Sequence, residues 1–464
     1  MSVPNEKQFW KYILPSMLTM FLCGFYAIVD GFFVGQAVGD LGLAAINIAW
    51  PIASFLLAAG TGIGVGGSVV MSTRYGKNDI SGSQRAFGNT FFMLLAASAL
   101  MTVLFSLLYI PILHLLGARG ELLSAAGEYA QIVAAGSVFQ ILGTGIAPLL
   151  RNKGKTIAAM AAMVSGLVTN IILDALFVMA LGLGIRGAAL ATVIAQALVA
   201  LVGFILLYHK KENRIPLRML KPEKGTVSRL LKIGLSPFGM TFAPSIVIIL
   251  ANLQCLAYGG TVAVAAYSVL MYVVTSAQGL LQGVGDGVQP LLSYFNGAKN
   301  QKAMQNVFRK ALATVLVLGV ALAAAALFFR TQIPVLFGAS PEASVLVEAA
   351  LFFSAFAFPF IGFSKLSSSY FYAIADVRTS ALVIYLDPAV LTPLFLFTLP
   401  LFLGITGIWL LLPCTQASLT VILLLIYRRQ AARQDASAQP GVHLPGALQP
   451  GKIKKNRSSD YGAY

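Results

Sequence analysis

Charge is what this sequence has least of. Only 10% of its 464 residues are Asp, Glu, Lys or Arg, where a water-soluble domain carries roughly 25%. So few charges cannot cover a surface that faces water, and a soluble globular fold is excluded. Cysteine is scarce as well. Cys23, Cys255 and Cys414 lie far apart in apolar surroundings, which argues against a disulfide framework and reads as small hydrophobes. The three histidines, His114, His209 and His443, fall at helix ends or in the tail. Without a Cys/His spacing they offer no metal centre. What is abundant is apolar: 58% of residues are hydrophobic and the mean hydropathy is +0.82.

A membrane helix needs about 20 apolar residues, and the runs divide at short polar punctuation into twelve: 12–37, 44–72, 87–116, 124–150, 156–182, 187–208, 233–258, 262–295, 308–336, 343–373, 379–402 and 404–427. The runs are continuous, whereas outer-membrane strands alternate apolar and polar residues over about ten positions. The expectation is an all-α integral membrane protein of twelve transmembrane helices. Met1 to Lys11 is polar and the first run is already span-length, which points away from a cleavable signal peptide.

The chain has 32 Lys and Arg against 16 Asp and Glu, a net charge of +16. In a soluble protein that excess would suggest nucleic acid, but the bases sort by side of the membrane. Twenty-eight fall in the termini and alternate loops, three (Arg119, Arg186, Arg330) on the other side, and Lys365 inside a span. The positive-inside rule then places both termini in the cytoplasm. The basic balance is a topology signal, and nucleic acid is not a partner.

The sequence also repeats. A gapless shift of 221 lays Gly39, Ala44, Ala45, Gly62, Gly64, Gly66, Ser72 and Gly76 on Gly260, Ala265, Ala266, Gly283, Gly285, Gly287, Ser293 and Gly297. A shift of 220 lays Leu181, Leu183, Gly184, Ile185, Gly187, Leu190 and Gln196 on Leu401, Leu403, Gly404, Ile405, Gly407, Leu410 and Gln416. Six spans return a chain to its starting side, so the copies share one orientation and their axis runs along the membrane normal. The expected organisation is a first lobe over 1–208, a basic cytoplasmic linker over 209–232, a second lobe over 233–427 and a disordered tail over 428–464. Duplicated lobes with a central seam are a common build for secondary transporters; a bundle that merely packs is the plain alternative.

The acids argue for transport. Asp30 and Asp174 each lie 18 residues into a span, where a charge costs at least about 2.5 to 3.5 kcal/mol on insertion scales. Asp286 and Asp387 sit closer to expected span ends. Asn170 and Asp174 are four apart, on one helical face with Met163; Tyr26 and Asp30 are also four apart. An amide, carboxylates and a nearby hydroxyl make a hard-oxygen cluster suited to a proton or a small cation. A structural acid bonded within its bundle is the bland reading.

Pro15, Tyr26 and Asp30 in the first span, the six-span repeat, the small residues of the second and eighth spans and the Asn170-Ile-Ile-Leu-Asp174 element together resemble the multidrug and toxic compound extrusion (MATE) transporters. The likeness covers about residues 7–430 and is greatest to the MepA-like bacterial branch. It implies two pseudo-symmetric six-helix bundles in a V, a monomer in the bacterial plasma membrane, and export of small amphipathic organic cations in exchange for H+ or Na+, without a cofactor. The family's first-lobe cation pattern lands on Asp30, Asn170, Asp174 and Thr192, with substrate contacts at Tyr26, Met163 and the two acids. Its kinkable proline lands on Pro15, where a backbone donor is missing. The family's other pattern, a Glu on the seventh span, is absent: Asn252 and Gln254 stand there. That leaves Asp286 and Asp387 as secondary candidates.

The implied mechanism is competition between proton and drug for the acids, with the lobes rocking to alternate access. A lipid-linked sugar flippase of the same superfamily is the alternative, although those relatives tend to fourteen spans and a cationic cavity. Other motifs fail. Gly60 to Gly67 lies inside a span, where close helix packing explains its glycines. Gly154-Lys155-Thr156 lacks the earlier phosphate-loop glycine, since Leu149 stands there. No nucleophile–base pair or metal set suggests an enzyme.

Overall fold

The computed structural model describes residues 4–208 and 217–438, excluding the side chains of 25–28, 30–32, 40, 217–218 and 431–438. All regular structure among the described residues is helical. The first half comprises α1 (Glu6–Val38), α2 (Asp40–Gly76), α3 (Ile80–Leu115), α4 (Gly120–Ala135), α5 (Ser137–Asn152), α6 (Thr156–Asp174), which runs on into a π-helical turn (Ala175–Ala180), and α7 (Gly184–Tyr208). The second half comprises α8 (Lys224–Gly297), α9 (Gln301–Phe328), α10 (Gln332–Leu336), α11 (Pro341–Ala355), α12 (Phe358–Ala373), α13 (Val377–Leu386), a π-helical turn (Asp387–Leu391), α14 (Thr392–Leu403), α15 (Ile405–Trp409) and α16 (Leu411–Ala438). By its contacts the chain divides into Met1–Val421, a compact unit, and Ile422–Tyr464, whose described part is the end of α16.

Eight helices are long and apolar enough to cross a membrane, and ten if each bent pair counts as one span. The 74-residue α8 is two spans, because Gly260 (φ 63°, ψ −161°) breaks its helical path. Adding the 33-residue α1 gives the twelve expected spans. Two of these are bent where continuous runs were expected: α4 and α5 meet at 58°, α11 and α12 at 53°. Large apolar side chains such as Leu107, Leu336 and Phe402 stand exposed, which a lipid solvent tolerates and water does not.

Local chemistry sets the helix starts. Asn5 and Gln8 form a capping box; Asp79 caps α3 and Asn300 caps α9, each accepting from the amide three residues on. Each satisfies a main-chain donor that the helix leaves open. These last two caps are 221 residues apart, and backbone conformation repeats at the same interval. Positive φ occurs at Asn78 and Lys299, at Gly154 and Ala375, and at Gly117 and Gly338. Gly39 and Gly260, another such pair, end the first and seventh spans in a conformation that suits a residue without Cβ.

The seam between the halves is made by α8 packed against α2 and α1. Small residues hold it close. A Cβ added at Gly76 would collide with the Tyr294 carbonyl, and one at Gly297 with the Thr73 carbonyl. Likewise Gly66 meets Gly234 Cα and Gly287 meets Ile13 Cα. Each contact maps onto its partner under the 221 shift, so the two-fold relation seen in sequence is also a packing symmetry. The seam continues to Ser54, whose hydroxyl lies 3.0 Å from that of Ser245, and to Phe55, which meets Phe238 and Phe242 edge-on. From Gly76 to Ser54 is about 33 Å of helix rise.

Candidate functional site

The acid expected in the fifth span lies at the end of α6, where the α-helix changes to the π-helical turn. Such turns recur at functional sites because they re-aim side chains and free backbone groups. Asp174 is fully buried and Asn170 nearly so, on the face that Gly166 presses against Val199 of α7. With the Asn170 amide oriented to satisfy both of its ends, its nitrogen donates to Asp174 Oδ2 at 2.8 Å. Its oxygen accepts from the Thr192 main-chain N–H at 3.3 Å. The structure therefore brings Asn170, Asp174 and Thr192 together, and Asn170 ties the acid to α7. Met163 is half-buried two turns earlier on α6. Tyr26 and Asp30 lie outside the described side chains, although α1 runs through both positions. Pro15 is inside α1, and its carbonyl accepts from the Thr19 hydroxyl at 2.6 Å.

Asp387 does not lie at a span end. It opens the π-helical turn in the middle of the eleventh span, accepting from the Thr392 hydroxyl at 3.0 Å and from Gln416 Nε2 at 2.7 Å. Gln416 is held in turn by the Ser364 hydroxyl at 2.8 Å. Lys365 of α12 is within electrostatic reach of both Asp387 and Asp286.

Asp286 belongs to the seam. Its Oδ2 lies 3.3 Å from a guanidinium nitrogen of Arg151, and both side chains are largely buried. Its Oδ1 accepts from Gln282 Nε2 at 2.8 Å. Beside this pair, Asn152 and Gln289 exchange amide hydrogen bonds of 2.9 and 3.3 Å. The Ser72 hydroxyl donates to Asn152 at 2.6 Å, and Gln289 donates to Ser293 at 3.0 Å. A polar ladder thus crosses from α2 and α5 in the first half to α8 in the second. In the sequence Arg151 reads only as a topology base, and no local motif marks the Asn152–Gln289 pair. The repeat held the signal: under the 221 shift Arg151 matches Tyr372, Asp286 matches Val65 and Gln289 matches Ser68. In this ladder Arg151, Asp286 and Gln289 each carry a charge or an amide that their counterpart in the other copy lacks.

An apolar groove of about 580 Å³ separates α1 from α6, lined by Leu18, Leu22, Met160, Val164, Val168 and others. It lies on the opposite face of α6 from Asn170 and Asp174, as their helical spacing requires. Among the described residues no group of three His, Cys, Asp or Glu side chains could hold a metal ion.

A twelve-span helical protein with a two-fold seam, buried acids and cross-seam polar pairs has the build of a membrane transporter. The MatE family model matches residues 15–176 and again 238–396, once in each half. The chain belongs to the MatE family. It is 27% identical over 425 residues to Multidrug export protein MepA of Staphylococcus haemolyticus, covering 91% of this chain and 93% of that one. It is 26% identical over 431 residues to the protein of the same name from Staphylococcus aureus, covering 91% and 94%. Among solved structures, a MATE protein in complex with MaL6 superposes with a TM-score of 0.87 at 23% identity, over 93% of this chain and 97% of that one. A MOP superfamily transporter from Pyrococcus furiosus superposes with a TM-score of 0.86 at 23% identity, over 92% and 96%. At these identities the solved structures speak for the fold.

Proposed function

We propose that this protein is a secondary active exporter of small amphipathic organic cations, driven by exchange for H+, with Na+ as the other candidate ion. The observation that supports this most strongly is Asp174, fully buried in a span and bonded through Asn170 to the main chain of α7. A carboxylate in that position attracts a lipophilic cation, and protonation removes the attraction. The substrate class agrees with the name of the staphylococcal relatives, multidrug export proteins, which cover nine-tenths of the chain.

In this reading the lobes 1–208 and 233–427, joined by the linker 209–232, rock about the seam. The Arg151–Asp286 pair and the Asn152–Gln289 bonds hold the side carrying the basic loops closed and separate when it opens. Asp30 and Tyr26 act with Asp174 on the cation, Thr192 supports the site, Met163 lines it, and α1 bends at Pro15, which lacks a backbone donor. Each proton moving inward through 100 mV contributes about 2.3 kcal/mol, enough for more than a tenfold bias. The protein works as a monomer in the bacterial plasma membrane with both termini in the cytoplasm, and needs no cofactor.

Proteoliposomes loaded with ethidium test this. An imposed pH gradient should drive export, Asp174→Asn should reduce it to background, and full proton-driven export by that variant would refute the assignment. Varying sodium at fixed pH separates the two ions. Labelling of single cysteines placed at either terminus checks the orientation.

A further inference from the structure

A cavity of about 280 Å³ opens where the seventh span begins, between the first turns of α8 and the start of α13. Gly225, Ser228, Arg229, Lys232 and Ile233 line one wall, Ala375 and Val377 the other. Arg229 and Lys232 are exposed, and among the described residues no acid lies within ion-pair distance of either. The nearest acids in sequence are engaged elsewhere. Asp376 caps α13 at the Thr379 amide, 3.2 Å away, and Glu223 accepts from the Thr226 hydroxyl at 2.6 Å while facing Arg74.

The first half shows why the corner is open. Under the 221 shift Ile233 matches Tyr12, Val377 matches Thr156 and Ala375 matches Gly154. There the Thr156 hydroxyl donates to the Lys11 carbonyl at 2.8 Å, stitching α6 to α1. The Tyr12 hydroxyl packs over Gly154. In the second half a valine cannot make the hydrogen bond and an isoleucine does not reach across. The Arg229 position, filled in the first half by the capping residue Gln8, carries a charge here. One repeat closes this corner and the other leaves it open, adding Arg229 to a lysine that both repeats carry, Lys11 in the first and Lys232 in the second.

We propose that this cavity binds a phosphate group, and that its ligand is the headgroup of an anionic phospholipid of the cytoplasmic leaflet. A guanidinium offers planar paired donors to phosphate oxygens, an ammonium adds a point charge and the Ser228 hydroxyl a further donor. The cavity is smaller than most drug pockets, which begin near roughly 300 Å³, and suits a headgroup. It lies at the start of the seventh span, on the side that carries the basic loops, and basic pockets between helices on that side bind acidic lipids. Ile233 and Val377 give it an apolar floor against which the glycerol backbone can rest.

The test uses the full chain, purified in detergent and titrated with phosphatidylglycerol or phosphatidylcholine, with bound lipid read by mass spectrometry of the intact protein. One phosphatidylglycerol should be retained in preference to phosphatidylcholine. Arg229→Gln with Lys232→Gln should weaken it about thirtyfold, while Lys221→Gln with Lys224→Gln, bases nearby but outside the cavity, should change it less than threefold. Ile233→Tyr with Val377→Thr, which rebuilds the closed corner of the first repeat and keeps both bases, should also abolish retention. Thermal midpoints of the lipid-free variants within a few degrees of the parent show that they remain folded. Displacement by millimolar inorganic phosphate would support the site and identify free phosphate as its ligand. Equal binding of the two lipids, or equal losses from the cavity and control pairs, would overturn the proposal.

Discussion

Each half of this molecule places one acid at a π-helical turn, Asp174 in the fifth span and Asp387 in the eleventh, yet the two are not repeat equivalents. They are 213 residues apart where this region of the repeat is offset by 220, so Asp387 sits two turns nearer the start of its span. Their surroundings differ too. Asp174 is held by the Asn170 amide, itself fixed by the Thr192 main chain. Asp387 accepts from Thr392 and Gln416 and lies within the field of Lys365. A carboxylate that already has two side-chain donors and lies in the field of a lysine has less to gain from a mobile cation. The difference is one of surroundings, and it supports the proposal that cation exchange belongs to the first half.

The sharpest way to break that contrast is to neutralise each acid in turn. Asp174→Asn should bring proton-driven efflux to background, whereas Asp387→Asn should keep it within about threefold of the parent, because one lost charge near Lys365 is a local rearrangement. Equal losses in proteoliposomes would erase the distinction between the halves.

The seam offers a second contrast, between the charged Arg151–Asp286 side and its uncharged image at Tyr372 and Val65. Removing one partner of a buried pair leaves the other uncompensated, so Arg151→Met or Asp286→Leu should each destabilise by about 3 to 5 kcal/mol. The double replacement should recover most of that loss. A denaturation series in detergent, analysed as a double-mutant cycle, measures the coupling; additive losses would mean the pair does not act as a unit.

Where the seam is symmetric, mutations should act symmetrically. Gly66→Val and Gly287→Val each force a side chain into the opposing helix and should cost about 1 to 3 kcal/mol apiece. A difference of more than about twofold between them would show that packing symmetry is weaker than the matching contacts suggest.

The smallest effect concerns the loop after α5. Burial lowers the Lys153 amine to about 8, with the charge of Lys155 adding to the shift. The fold favours the neutral amine, so this group's contribution to stability rises as pH climbs from about 8 toward its ordinary value near 10.5. Near pH 8 about half of it is unprotonated, and peptide mapping after brief acylation should find Lys153 modified well ahead of Lys224. Lys155→Gln should raise its pKa and slow that reaction.

Much of this was legible in the sequence because lipid leaves few choices. Span-length apolar runs must become helices, since no other segment satisfies its backbone in hydrocarbon, and the Gly260 break fell in the gap expected between the seventh and eighth spans. The Asn170–Asp174 spacing fixed one face. The bends at Gly136 and near Phe356 were missed although the Gly136-Ser137 pair and Pro359 mark them, because both runs stay span-length and apolar across the break. The position of Asp387 was not legible either, since an apparent span end disguised it.

By itself, the sequence determined the number of spans, the duplication and the identity of the acids, because these depend on local hydropathy and on self-comparison. Only the tertiary structure decided that Arg151 meets Asp286, that Asn152 meets Gln289 and that one repeat leaves a cationic corner open. Those contacts join residues more than a hundred positions apart, and their formation depends on how closely glycine lets two helices approach.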